Sequence, residues 1–170
     1  MNQRAPNIHR PAPRYRGRTV EWLTPPEILA ALGPFDLDPC APAHRPWPTA
    51  ARHYTIMEDG LLQPWEGRIW LNPPYGSDTW AWLAQLADHG DGIALVFART
   101  ETEGFHECGW GRADAMHFFR GRLHFHHLDG QRARGNSGAP SVLIAYGQSN
   151  AHQLQDSGLP GKFIELKGEA

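Results

Sequence analysis

Cysteine is scarce in this chain: Cys40 and Cys108 are the only two in 170 residues. That excludes a disulfide framework and a four-thiolate zinc site, and makes a reducing, cytoplasmic setting the expected one. No apolar run approaches the length that spans a bilayer. The first residues are rich in arginine and lack an apolar core segment, so neither a membrane anchor nor a signal peptide is expected. Internal repeats are absent, and no long insertion is available to serve as a separate target-recognition domain. What is present is 41% hydrophobic and 20% charged residues, the balance of an ordinary globular protein with one core.

The net charge of −2 argues against a strongly electrostatic binder, but the charges are unevenly spread. Arg4, Arg10, Arg14, Arg16 and Arg18 all precede the first acidic residue, Glu21. A second cluster, Arg120, Arg122, Arg132 and Arg134, is interrupted only by Asp129. Such clusters suit phosphate contacts, and equally suit a solvated tail and a solvated hairpin.

Residues 1–20 are rich in Pro and Arg without apolar periodicity and read as a flexible basic arm. Residues 21–147 read as the folded domain, and 148–170 as a polar, peripheral extension. Thr24-Pro25-Pro26-Glu27 predicts a helix start, with Thr24 as N-cap, Glu27 closing a capping box and Gly33 as the stop. Phe35–Asp38 predicts a short strand that enters a Pro-rich loop. Ile69–Leu71 predicts a strand delivering the chain to Asn72. A helix from Ser77 or Asp78 to Gly90 carries Trp80, Leu83, Leu86 and Ala87 on one stripe. Ile93–Phe97 reads as a buried parallel strand, followed by a short helix near Glu103–Cys108. Strands are expected at Ala115–Phe118, Arg122–His126 and Ser141–Tyr146. The predicted class is α/β, a mostly parallel sheet with an antiparallel C-terminal hairpin.

The strongest chemical signal is Asn72-Pro73-Pro74-Tyr75 directly after an apolar strand. At this composition it arises by chance in about one chain in a thousand of this length. An exocyclic amino group on a base is a poor nucleophile, because its lone pair is delocalised into the ring. The Asn72 carboxamide oxygen and the Pro73 carbonyl can accept hydrogen bonds from its two N–H groups and favour a pyramidal nitrogen. The prolines fix φ and hold that carbonyl rigidly. Tyr75 offers a flat face for a flipped-out base, worth about 1–3 kcal/mol. Alone, the motif serves adenine N6, cytosine N4, an RNA adenine or a protein glutamine amide, all planar amino groups. A Pro-rich turn in a non-catalytic DNA-binding accessory protein is the alternative of a different class.

Three segments in order, Trp22-Leu23-Thr24-Pro25, Phe35-Asp36-Leu37-Asp38-Pro39-Cys40-Ala41 and Trp70-Leu71-Asn72-Pro73-Pro74-Tyr75, carry a resemblance. The chain resembles the phage and prophage N6-adenine DNA methyltransferases, the Dam-like family, from about Trp22 to Tyr146. The resemblance implies a single Rossmann-like domain that uses S-adenosyl-L-methionine to methylate a flipped-out adenine in double-stranded DNA. It places Thr24-Pro25, beside Trp22, at the methionine part of the cofactor. It makes Asp38-Pro39-Cys40-Ala41 the cofactor loop and Asp59 the acidic residue facing the cofactor's adenine. One departure stands out: Asp38-Pro39-Cys40-Ala41-Pro42 contains none of the glycines usual in the broader methyltransferase pattern.

His124 and His126 would share one face of a strand, near His127 and His117. No acidic or thiolate partner lies at ligand spacing, and methyl transfer needs no metal, so none is expected. DNA contact by Arg120, Arg122 and His124 on a predicted hairpin is the better reading, with Arg132 and Arg134 on the loop beyond. Arg99 follows the buried strand and should emerge at the same edge as Asn72, lining the base pocket, shaping the cofactor site or pairing with Glu101. Trp22, Trp70 and Trp80 lie beside motifs, where core packing is their default use.

Overall fold

Seven strands form one sheet in the computed structural model, which describes residues 21–167. The arginines assigned to the arm, Arg14, Arg16 and Arg18, lie outside the described residues. The strands are β1 (Leu37–Asp38), β2 (Arg52–His53), β3 (Ile69–Leu71), β4 (Gly92–Phe97), β5 (Ala115–Phe119), β6 (Ser141–Tyr146) and β7 (Gly161–Glu165). Their order across the sheet is β2-β1-β3-β4-β6-β5-β7. The first four are mutually parallel. β6 runs antiparallel to both β4 and β5, so β5 again points the same way as β4, and β7 closes the edge antiparallel to β5. The α/β class holds, with a parallel half followed by an antiparallel half.

β3, β4 and β6 are near-continuous apolar runs because both of their faces are covered. Side chains alternate between two layers. Leu37, Ile69, Leu71, Ala94, Val96, Val142 and Ile144 face helix α2 (Thr79–His89). Trp70, Ile93, Leu95, Leu143 and Ala145 face α1 (Pro26–Leu32) and α3 (Gln148–Gln155). α2 stops at Gly90, whose φ of 79° is the left-handed cap that lets its N–H reach the Leu86 carbonyl. The stretch beyond Tyr146 supplies α3 and the edge strand β7, and Ala151 and Leu154 sit in the core. No helix among the described residues is long and apolar enough to cross a membrane.

Three local expectations need correction. Thr24 does not cap α1. Pro25 holds that position, no side chain caps, and Pro26 at the first turn has no N–H to satisfy. Arg122–His126 forms no strand, because β7 occupies the β5 edge such a strand would need; only His126 bridges, to Leu23 and Arg132. Trp82, not Trp80, is the buried tryptophan of α2. Trp80 turns instead towards Phe105, in the short helix expected near Glu103–Cys108, whose Phe105–Trp110 stretch is a π-helix.

Candidate active site

From β1 the chain passes to β2 on one side, and β3 then pairs on the other side of β1. This is a topological switch point, where open α/β sheets leave a crevice outside the carboxyl ends of their strands. The two motifs lie at that crevice: Asp38–Ala41 leaves β1 and Asn72–Tyr75 leaves β3. They are joined directly, since the Cys40 thiol donates to the Asn72 backbone carbonyl (3.5 Å). Burial and the neighbouring acids Asp38 and Glu21 push the Cys40 pKa up, which keeps that proton in place.

The orientation of Asn72 is set from both ends of its amide. Nδ2 donates to Thr24 Oγ1 (3.2 Å), and the Tyr75 hydroxyl donates to Oδ1 (3.5 Å). Burial pushes the Tyr75 pKa upward, so the hydroxyl stays protonated and can only donate to that oxygen or accept. Thr24 is therefore part of the site for a reason unrelated to helix capping. The turn itself is locked by Thr79, the first residue of α2: its hydroxyl donates to the Pro74 carbonyl (2.7 Å) and accepts from the Gly76 N–H (3.2 Å). Pro73 is buried and Pro74 exposed.

Tyr75 is stacked on Phe97, the last residue of β4, with ring centroids 3.9 Å apart and planes 6° from parallel. Phe125 approaches it edge-on at 6.4 Å. One face of Tyr75 is thus covered by Phe97. Phe97, Phe125 and Thr79 were not singled out from the sequence. Phe97 was within reach, because a strand parallel to the one before Asn72 must end at the same edge.

Asp38 is buried, and both its oxygens serve its own loop. One accepts from the Cys40 N–H (3.0 Å) and the other from the Thr49 hydroxyl. His53 Nε2 accepts from the Thr49 N–H (3.3 Å), tying β2 to the same loop. This bracing replaces the missing glycines: the loop is shaped by a buried carboxylate instead of by unusual φ values. Burial raises the Asp38 pKa from 3.8 to about 6 against the opposing effect of these hydrogen bonds. The folded state therefore holds this proton more tightly than the unfolded chain. The stability it contributes is complete below pH 3.8 and is lost as pH rises through about 6. Asp38→Asn is expected to remove about 3 kcal/mol of pH-dependent destabilisation between acid and neutral pH. Urea unfolding of both proteins at the two pH values checks it, and identical pH dependence would contradict it.

Asp59 has φ 55°, the one positive value outside glycine among the described residues. It is exposed, makes no side-chain hydrogen bond among those residues, and is followed by Gly60, which packs against the Pro39 carbonyl of the first motif. Beside it Ile56 and Met57 are 77% and 84% exposed. Trp22 and Cys40 are half-buried, and Pro25, Pro39 and Ala41 are buried. Arg99 is exposed just past β4, and Arg120, Arg122, Arg132 and Arg134 are exposed on the connection from β5 to β6. Arg122 reaches the Ser137 carbonyl (3.5 Å), and the His124 ring meets the Ala133 carbonyl (3.2 Å). No group of three or more metal-ligating side chains occurs among the described residues.

A carboxamide oxygen and a proline carbonyl, held rigidly at a sheet-edge crevice beside an aromatic ring, fit group transfer to a planar amino group. Residues 17–155 match the family model described as DNA N-6-adenine-methyltransferase (Dam), and the chain belongs to that family of DNA adenine methyltransferases. Comparisons with curated proteins and with solved structures gave no match.

Proposed function

We propose that this chain methylates the N6 of an adenine flipped out of double-stranded DNA, with S-adenosyl-L-methionine as the methyl donor. The observation that carries this is the doubly anchored Asn72 carboxamide at the switch-point crevice. Its Oδ1 and the Pro73 carbonyl accept from the two N–H groups of the adenine and leave the nitrogen lone pair free. Tyr75, held in place by Phe97, would support the base. The sheet order, with one reversed strand between β4 and β5, supports a Rossmann-like domain.

The crevice suits the cofactor in its donor set. Asp59 offers an unpartnered carboxylate for a ribose diol or an adenine amino group, with Ile56 and Met57 as an apolar rest beside it. The backbone of Pro39–Ala41, with Trp22, Thr24 and Pro25, would hold the methionine side. When bound, the cofactor supplies a methyl group on a strongly activated sulfonium. The protein then needs orientation and electrostatics more than a strong base.

The arginines at the same edge, Arg99, Arg120 and Arg122 with His124, would hold the DNA backbone, joined by Arg14, Arg16 and Arg18. Incubation with tritiated cofactor and duplex DNA is expected to yield N6-methyladenine on nucleoside analysis. No label in any DNA, or label in cytosine alone, would overturn the reading.

A further inference from the structure

The connection from β5 to β6 leaves the sheet at the same edge as Asn72, because β5 runs parallel to β4. Paired backbone bonds between Leu23 and His126 (2.9 and 3.0 Å) hold it one residue from Thr24. A groove of about 430 Å³ opens there, lined by Trp22, His127, Gln131, Arg132, Arg134 and Asn136.

The backbone under this groove is pinned. The His127 N–H donates to Gln131 (2.8 Å), that of Ala133 to Phe125 (2.8 Å) and that of Ser137 to Leu123 (2.7 Å). The turn tip at Gly130 packs under Pro46 and Trp47 of the Pro-rich loop. Ala133 and Ser137 point inward and are buried, while Gln131, Arg132, Arg134 and Asn136 are exposed. Among the described residues none of those four side chains makes a hydrogen bond or an ion pair. Asp129, the acid on the same turn, is engaged by the Gln131 backbone N–H (2.9 Å).

We propose that this groove is the sequence-reading surface of the enzyme, contacting base edges that flank the target adenine. A surface that only tracked phosphates would need donors alone. Here two guanidinium forks lie between two neutral carboxamides on a fixed backbone. A fork matches guanine O6 and N7, and a carboxamide, donor and acceptor together, matches adenine N6 and N7. The proposal rests on the DNA-methylation reading above and gives it a recognition element within the described domain.

The test uses the full chain, S-adenosyl-L-methionine and a pool of duplexes randomised around one adenine, with methylated and bound members sequenced separately. Wild type is expected to favour particular flanking bases in both. Arg134→Ala and Asn136→Ala should each flatten the preference at one position by about tenfold to a hundredfold. Arg134→Lys, which keeps the charge but loses the fork, should flatten it as well. Uniformly slower methylation with the wild-type preference intact would overturn the proposal, as would a wild type without any flanking preference. A wild type that enriches a sequence by binding yet transfers no methyl group would overturn the methylation reading and leave the groove's role standing.

Discussion

Asn72→Ala is expected to reduce the rate of methyl transfer by about a hundredfold to a thousandfold. Its cofactor affinity and thermal stability should stay close to wild type. The side chain is half-buried and its hydrogen bonds go to other side chains, so its loss leaves no backbone group unpaired. What disappears is the acceptor that selects one orientation of the substrate amino group. Asn72→Asp is the informative contrast. A carboxylate still accepts from the amino group, and the Thr24 hydroxyl can rotate from acceptor to donor. Partial activity is therefore expected, well above that of alanine. Rates from single-turnover label transfer, read beside calorimetric cofactor binding, decide it. Alanine and aspartate variants of equal rate would show that the acceptor is not what matters.

Gly60→Ala is expected to be the most damaging single methyl group. A Cβ there would collide with the carbonyl oxygen of Pro39, which is backbone and cannot swing away. Either the Asp38–Ala41 loop shifts or the Glu58–Leu62 segment lifts off. A stability loss of about 2–3 kcal/mol follows from overpacking against a fixed group. Because these segments form the two sides of the proposed cofactor crevice, the variant should also lose cofactor affinity by more than tenfold at a temperature where it remains folded. Urea unfolding and calorimetry measure the two effects independently. Gly90→Ala is the control: it sits at a positive φ, unlike Gly60, but no atom lies within 4 Å of the added carbon. It should cost about 1 kcal/mol without touching cofactor binding.

Much of the sheet is legible in the sequence, because the buried strands announce themselves. Ile69–Leu71, Gly92–Phe97 and Ser141–Tyr146 are uninterrupted apolar runs, and each appears within a residue of its expected bounds. β2 was not legible. It is two residues long, Arg52 and His53, neither buried, and it exists because β1 offers it an edge. The segment 122–126 failed in the opposite sense: it alternates like a strand, but β7 had already taken the available edge. Such outcomes depend on competition between distant segments, which local pattern does not record.

The site divides in the same way. The Asn-Pro-Pro-Tyr turn was readable because its chemistry demands particular residues at particular spacings. The partners that hold it, Thr79, Phe97 and Thr24 through its hydroxyl, come from other elements and carry no distinctive local signal. The absent glycines were readable as an absence. The buried Asp38 with Thr49, which takes their place, was not.

The reversed strand has a further consequence for how the chain folds. β6 lies between β4 and β5 in the sheet but follows both in the chain. Until Ser141–Tyr146 is synthesised, β4 and β5 have no common neighbour, and each presents a bare apolar edge. The two halves of the sheet can close only when the last buried strand inserts between them, a non-local event of the kind that slows folding. A chain stalled or cut before Tyr146 would leave open strand edges free to pair with other copies, so its fate should be aggregation instead of a smaller folded unit.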